Sequence, residues 1–242
     1  MSHTPLIVLI HGAWAASWVW NPIIGTLTDA GCATLAVDLP DVDPDQTTEL
    51  DSNVDHVVAQ IADFAGPIIL VGHSGGGLTA TAVAEHIPER ITGIVYVAGM
   101  MLPSGMSFEE LRSEIPGMPT PLGIEVFLEP AGAVPGSVVP ADAAVAVFFH
   151  RAPPHHAVAA ARRLRPQPDA GRMMTPHWTP ERYGVIPRLY IEAVHDRTIP
   201  LALQRHMQLR TPGARVVTLD SDHAPQMSAP GELAKALLDF TA

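Results

Sequence analysis

The apolar run Ile68-Ile69-Leu70-Val71 passes without a polar break into Gly72-His73-Ser74-Gly75-Gly76-Gly77-Leu78. Few folds accommodate that stretch. The run has the length and character of a buried strand, and Leu78 to His86 reads as a helix, so a sharp strand-to-helix turn must lie between them. A G-x-S-x-G turn in this setting holds its serine in a strained backbone conformation, with the hydroxyl standing clear of the strand end. The residues two positions either side have no room for a Cβ, which accounts for Gly72 and Gly76. The first turn of the helix adds unpaired N–H groups and the positive end of its dipole at the same place. Ser74 is therefore a candidate nucleophile.

The chain around this turn alternates strands and helices. Leu6–Ile10 is a β-branched and leucine-rich run expected to be a strand buried on both faces, ending in His11-Gly12-Ala13-Trp14. Residues 17–30 are expected to form a helix stopped by Gly31, and 32–37 a second strand. Residues 51–65 carry Val54, Val57, Val58, Ile61 and Phe64 on one helical face. Further strands are expected at 91–98, within 185–193 after the interruption at Pro187, and at 214–219, with a last helix over 231–240. Such alternation implies parallel β-α-β units, right-handed crossovers and helices on both faces of one sheet. Ligands then bind beyond the carboxyl ends of the strands, where Ser74 stands.

Residues 99–186 break this rhythm. Prolines are frequent, helical patches are expected only at 141–151 and 155–164, and apolar residues are scattered, among them Met100, Met101, Met106, Phe108, Met118, Phe127, Phe148, Phe149, Met173 and Met174. A stretch this long without alternation is expected to be functional. We read it as a cap inserted over a core made of residues 1–98 and 187–242. Gly12, Trp14, Met100, Phe127 and Phe149 are the candidates for substrate contact. The aspartates Asp41, Asp43 and Asp45 resemble the start of a calcium loop, but Gln46 stands where glycine is needed and no closing glutamate follows, so a solvated acidic loop is expected. His150, His155, His156 and His177 lack the spacing and supporting ligands of a zinc site; no metal is expected.

A serine hydroxyl needs a base to take its proton, and the base needs an orienting acid. Both must come from strand ends that converge on Ser74. Asp196 follows Leu189–Val194 in this way, and His223 follows Val216–Leu219 in the loop before the last helix. The order Ser74, Asp196, His223 is the one this arrangement uses. Asp196 is the favoured acid, with Glu192, Asp220 and Asp222 as competitors. His11, His73 and His195 are read as structural. Two backbone N–H groups must face the developing oxyanion. Gly75, directly after the serine, and Ala13, after the first strand, are placed to supply them.

The formal charge of −11 argues against nucleic acid or an anionic membrane as a partner. With 47% apolar and 16% charged residues over 242, the chain suits one sizeable domain. A single cysteine, Cys32, allows no internal disulfide, so a reducing compartment and cytoplasmic location are expected. No apolar stretch reaches transmembrane length and no signal-peptide pattern opens the chain.

Three stretches together resemble the α/β-hydrolase superfamily: Val8-Leu9-Ile10-His11-Gly12-Ala13-Trp14 with Trp18 and Trp20, Gly72-His73-Ser74-Gly75-Gly76, and Asp222-His223 with Ser228 and Pro230. More narrowly, the chain is similar to the branch of plant-type methylesterases and hydroxynitrile lyases. The resemblance implies a three-layer α/β-hydrolase fold, a mostly parallel sheet of about six strands with an inserted cap, no cofactor, and an acyl-enzyme mechanism on a small-molecule ester. Lyases of the branch carry threonine at Gly12 and lysine at Ala224, so the resemblance places this chain with the esterases. A lyase-like reaction and a ligand receptor on the same scaffold are the alternatives. A dehalogenase would carry aspartate at Ser74. A homodimer stays open.

Overall fold

The computed structural model describes residues 5–40, 49–132, 135–168 and 174–241. Asp41, Asp43, Asp45, Gln46, Met173 and the first four residues lie outside them. The central sheet consists of β1 (Leu6–Ile10), β2 (Ala33–Val37), β3 (Ile68–His73), β4 (Ile91–Val97), β8 (Arg188–Ala193) and β9 (Ala214–Leu219). The intervening β5 (Glu129–Pro130), β6 (Gly136–Val138) and β7 (Gln167–Pro168) form a separate small antiparallel sheet. The six central strands are all parallel, in the order β2-β1-β3-β4-β8-β9. This is the α/β-hydrolase fold. β1 has β2 on one side and β3 on the other, so the winding reverses there. That reversal opens the crevice at the strand ends in which ligands bind.

Successive side chains of β1 go to opposite faces. Ile7 and Leu9 enter a core with Ile23 and Leu27 of α1 (Asn21–Asp29) and Leu233 and Leu237 of α9 (Pro230–Thr241). Leu6, Val8 and Ile10 enter another with Val54 and Val57 of α2 (Glu49–Gln60), Val83 of α3 (Gly76–His86) and Leu203 of α7 (Leu201–Arg210). Strands β1, β3 and β8 are buried along their whole length, whereas the edge strands β2 and β9 are partly exposed.

The element boundaries differ from expectation for local reasons. The helix expected over 17–30 divides into a 3₁₀ turn, Ser17–Trp20, and α1, because Pro22 has no N–H and is tolerated only in a first helical turn. The helix expected over 51–65 ends at Gln60, ahead of Gly66 and Pro67, although Ile61 stays buried. Strand β8 starts only after Pro187, behind the 3₁₀ turn Tyr183–Val185.

Between β4 and β8 the chain forms α4 (Phe108–Ser113), α5 (Ala141–Val147), α6 (Pro154–Ala161) and the small sheet. Helix α4 opens with a capping box: Ser107 Oγ accepts from Glu110 N, and Glu110 returns a bond to Ser107 N. This segment is anchored to both cores. Phe148 and Phe149 join the first, and Leu111 and Leu122 the second. Among the described residues no helix is long and apolar enough to cross a membrane.

Candidate active site

Ser74 has φ +51°, in the left-handed region that costs a non-glycine residue on the order of 1–3 kcal/mol. The backbone holds it there: Ser74 N donates to Val97 O at 3.2 Å, and Ser74 O accepts from Gly77 N at 3.0 Å and Met100 N at 2.9 Å. The flanking glycines permit close approach. A Cβ on Gly72 would sit 2.6 Å from Gly76 O, and one on Gly76 would sit 2.5 Å from His11 O.

His223 Nδ1 lies 2.7 Å from Asp196 Oδ2, with both side chains buried. A carboxylate only accepts, so Nδ1 carries the proton and Nε2 presents its lone pair. The other carboxylate oxygen, Oδ1, accepts from Thr198 N at 2.7 Å and Ile199 N at 2.9 Å, which fixes the orientation of Asp196. The competing carboxylates are engaged elsewhere. Glu192 accepts from Arg205, Gln208 and Thr218. Asp220 pairs with Arg151 and His195 on the surface. Asp222 accepts from Arg151 N, Ala224 N and Ser228 Oγ, and so shapes the loop around His223 without touching its ring.

Ser74 and His223 share one cavity wall, and no hydrogen bond joins Ser74 Oγ to His223 Nε2 among the described residues. Such bonds commonly tighten only once substrate is seated. The N–H groups of Ala13 and Gly75 have no acceptor among the described residues, and a Cβ on Gly75 would lie 3.9 Å from Ala13 N. The backbones of residues 13 and 75 thus approach each other beside Ser74.

His73, read from the sequence as structural, is buried at the end of β3. His73 Nε2 lies 2.7 Å from the backbone oxygen of His223 and must donate to it, tying the two loops together. Burial, reinforced by the charge of His223, pushes the pKa of His73 down to about 3 against the partial support of that carbonyl. His11, bonded to Gly12 O and Leu39 N, is lowered too, mainly by burial. The unfolded chain therefore binds protons below the ordinary histidine value of 6.5 that the folded chain refuses. The contribution of His73 to stability is fully present above pH 6.5 and is lost as pH drops toward about 3. A glutamine amide can still donate to the His223 carbonyl. Between pH 6 and 4, urea unfolding of His73→Gln should lose stability less steeply than wild type, by ~1.4 kcal/mol per pH unit. Parallel slopes would show that His73 is protonated in the fold.

The cavity above Ser74 has a volume of about 730 Å³, within the range of small-molecule sites, and its wall is mainly apolar. Ala13, Trp14, Gly75, Met100 and Phe149 line it, as do Phe108, Leu122, Ile124, Leu128 and Phe148. Two expectations need correction. Phe127 is 47% exposed and lies outside the wall. The chain leaves the 3₁₀ turn Gly123–Phe127 extended at Leu128, so consecutive side chains diverge and Leu128 faces inward instead. Gly12 is not a wall residue either. It packs against the serine, where a Cβ would come within 2.8 Å of Ser74 Cβ, 3.0 Å of His73 O and 3.3 Å of Ser74 Oγ. Trp14, itself at φ +58°, ties this loop to the small sheet through Nε1 to Ser137 and its N–H to Gln167. At the charged end of the cavity, buried Arg112 is held between Glu109 and Glu125. Gln226 and Met227, just past His223, also line the cavity and were not anticipated; their nearness to His223 was the available signal. Among the described residues no group of three or more His, Cys, Asp or Glu side chains is placed to hold a metal ion.

Comparison with known proteins adds the following. The model of the Alpha/beta hydrolase family matches residues 7–236. A pyrethroid hydrolase of Sphingobium wenxiniae is 31% identical over 97% of this chain and 86% of its own length. A putative chloroplastic methylesterase, number 13 of Arabidopsis thaliana, is 29% identical over 99% of this chain, which spans only 57% of that protein. The crystal structure of a pyrethroid hydrolase from Sphingobium faniae superposes with a TM-score of 0.85 at 29% identity, covering 98% of this chain and 97% of that one.

Proposed function

Since the chain belongs to the alpha/beta hydrolase family, on its methylesterase-like branch, we propose that it is a serine carboxylic-ester hydrolase acting through an acyl-enzyme. The observation that carries this reading is the buried His223–Asp196 pair, 2.7 Å apart, whose histidine lines the same cavity wall as Ser74. In the reaction, Nε2 of His223 takes the Ser74 proton as Oγ attacks the ester carbonyl carbon. The Ala13 and Gly75 N–H groups receive the oxyanion, each donor typically worth about 10²–10³-fold in rate. The imidazolium then protonates the departing alkoxide. Water, deprotonated by the same nitrogen, attacks the acyl-Ser74 carbonyl and releases the acid.

The apolar wall supports small to medium hydrophobic esters, as does similarity to a protein named for pyrethroid hydrolysis. Against lyase chemistry, Gly12 has no space for a side chain beside Ser74, and Ala224 carries no charge to stabilise departing cyanide. A cytoplasmic location and action without a cofactor belong to the same proposal; the lone Cys32, buried, gives the location its support.

The test is a graded panel of p-nitrophenyl and methyl esters with mandelonitrile alongside. Ready hydrolysis of p-nitrophenyl acetate without cyanide release is expected. Enzyme-dependent cyanide release would establish the lyase, and tight binding of one ester with negligible turnover the receptor.

A further inference from the structure

Gln226 lies three residues after His223, in the short helix α8 (Pro225–Ser228), and its side chain is fully buried on the cavity wall. Neither its Nε2 nor its Oε1 has a hydrogen-bond partner among the described residues. A buried amide left unpaired at both ends opposes folding. The neighbouring wall residue Met227 shows that a flexible apolar side chain of similar length is compatible with this helix. Among the described residues the amide has no hydrogen-bonding role in the fold, and the residue lines the cavity. The terminal torsion of glutamine is broad and soft, so the amide can turn toward an occupant at little cost. Thr198, on the same wall, repeats the pattern with a buried Oγ1 that has no partner among the described residues.

We propose that Gln226 is a specificity-determining residue that binds a neutral polar group on the ester, one able both to donate and to accept a hydrogen bond. A carboxylate only accepts and an ammonium only donates, and either would leave half of the amide unpaired. A hydroxyl or a carboxamide satisfies both halves. The substrate class is therefore a hydrophobic ester bearing one such group, with the ester carbonyl at Ala13 and Gly75 and the polar group at Gln226.

The proposal rests on the ester-hydrolase reading, and its test separates the two. Methyl 3-phenylpropanoate and derivatives bearing a hydroxyl or carboxamide at successive chain and ring positions are assayed with wild type and Gln226→Met. One or more polar derivatives should exceed the parent in kcat/KM by about tenfold or more, roughly the worth of one net hydrogen bond. In Gln226→Met that ratio should fall toward one. The same ratio is read as Kd by calorimetry in Ser74→Ala, with and without Gln226→Met. Thermal melting of Gln226→Met should be no lower than that of wild type. An unchanged ratio, no preferred polar derivative, or a variant that melts early or fails to fold would overturn the proposal. Loss of all turnover with the Kd ratio intact would remove the hydrolase reading and leave Gln226 as the polar anchor of a binding site.

Discussion

Replacing Ser74 with alanine is expected to lower kcat on p-nitrophenyl acetate by on the order of 10⁶-fold, leaving the fold and ligand binding in place. The size of the effect follows from the chemistry, because the proposed acyl-enzyme cannot form without the Ser74 hydroxyl. Its selectivity follows from the structure. The bonds that hold the turn use Ser74 N and O, and the hydroxyl makes none among the described residues. Alanine accepts φ +51° about as well as serine, so the strain is unchanged. Unfolding free energies from denaturant melts should therefore agree within about 0.5 kcal/mol. Mass spectrometry after treatment with an organophosphonate should find one adduct, on the peptide containing Ser74. Near-normal turnover in Ser74→Ala, or an adduct elsewhere, would remove the mechanism.

The central sheet was legible in the sequence because its physics is local. Residues 68–73 and 188–193 are buried on both faces; the first opens as a continuous apolar run, Ile68–Val71, and the second carries a short one, Leu189–Ile191, between Arg188 and Glu192. The demand for glycine at 72 and 76 could be argued from steric reach alone, and the contacts at 2.6 and 2.5 Å give it a magnitude. Asp196 and His223 were reachable because strand ends in a parallel sheet converge. The 99–186 segment was not legible in the same way. Its strands are only two or three residues long, and β6 pairs with the distant β7, as with Ser137 and Gln167, which leaves no periodicity to read. Its capping box at Ser107 and Glu110 was a usable signal that went unread. Phe127 and Gln226 fail for a common reason: hydrophobicity says that a residue is buried somewhere, and only tertiary packing decides which surface it faces. Phe127 has the composition of a wall residue and is exposed, while Gln226 has that of a surface residue and is fully buried.

Asp196→Asn is expected to retain the fold and lower kcat by up to about 10⁴-fold. The asparagine oxygen can replace Oδ1 and keep the bonds from Thr198 N and Ile199 N, now at 2.7 and 2.9 Å, so the loop survives. Its NH₂ then faces His223 Nδ1, now 2.7 Å from Oδ2. Two donors cannot meet there, so the ring must move its proton to Nε2, which leaves no lone pair for the Ser74 proton. Asp222→Asn supplies the control, since its carboxylate does different work. Oδ2 accepts from Arg151 N at 2.7 Å, and Oδ1 accepts from Ala224 N at 3.1 Å and Ser228 Oγ at 2.8 Å. All three partners bring hydrogens, so an asparagine NH₂ at 222 meets a donor whichever way the amide is turned. The expected cost there is stability, about 1–3 kcal/mol for a buried group left unsatisfied, with a far smaller loss of kcat. The two variants should therefore separate on a plot of melting temperature against kcat, Asp196→Asn falling in turnover and Asp222→Asn in stability. If Asp222→Asn loses the turnover and Asp196→Asn keeps it, the acid that orients His223 is Asp222.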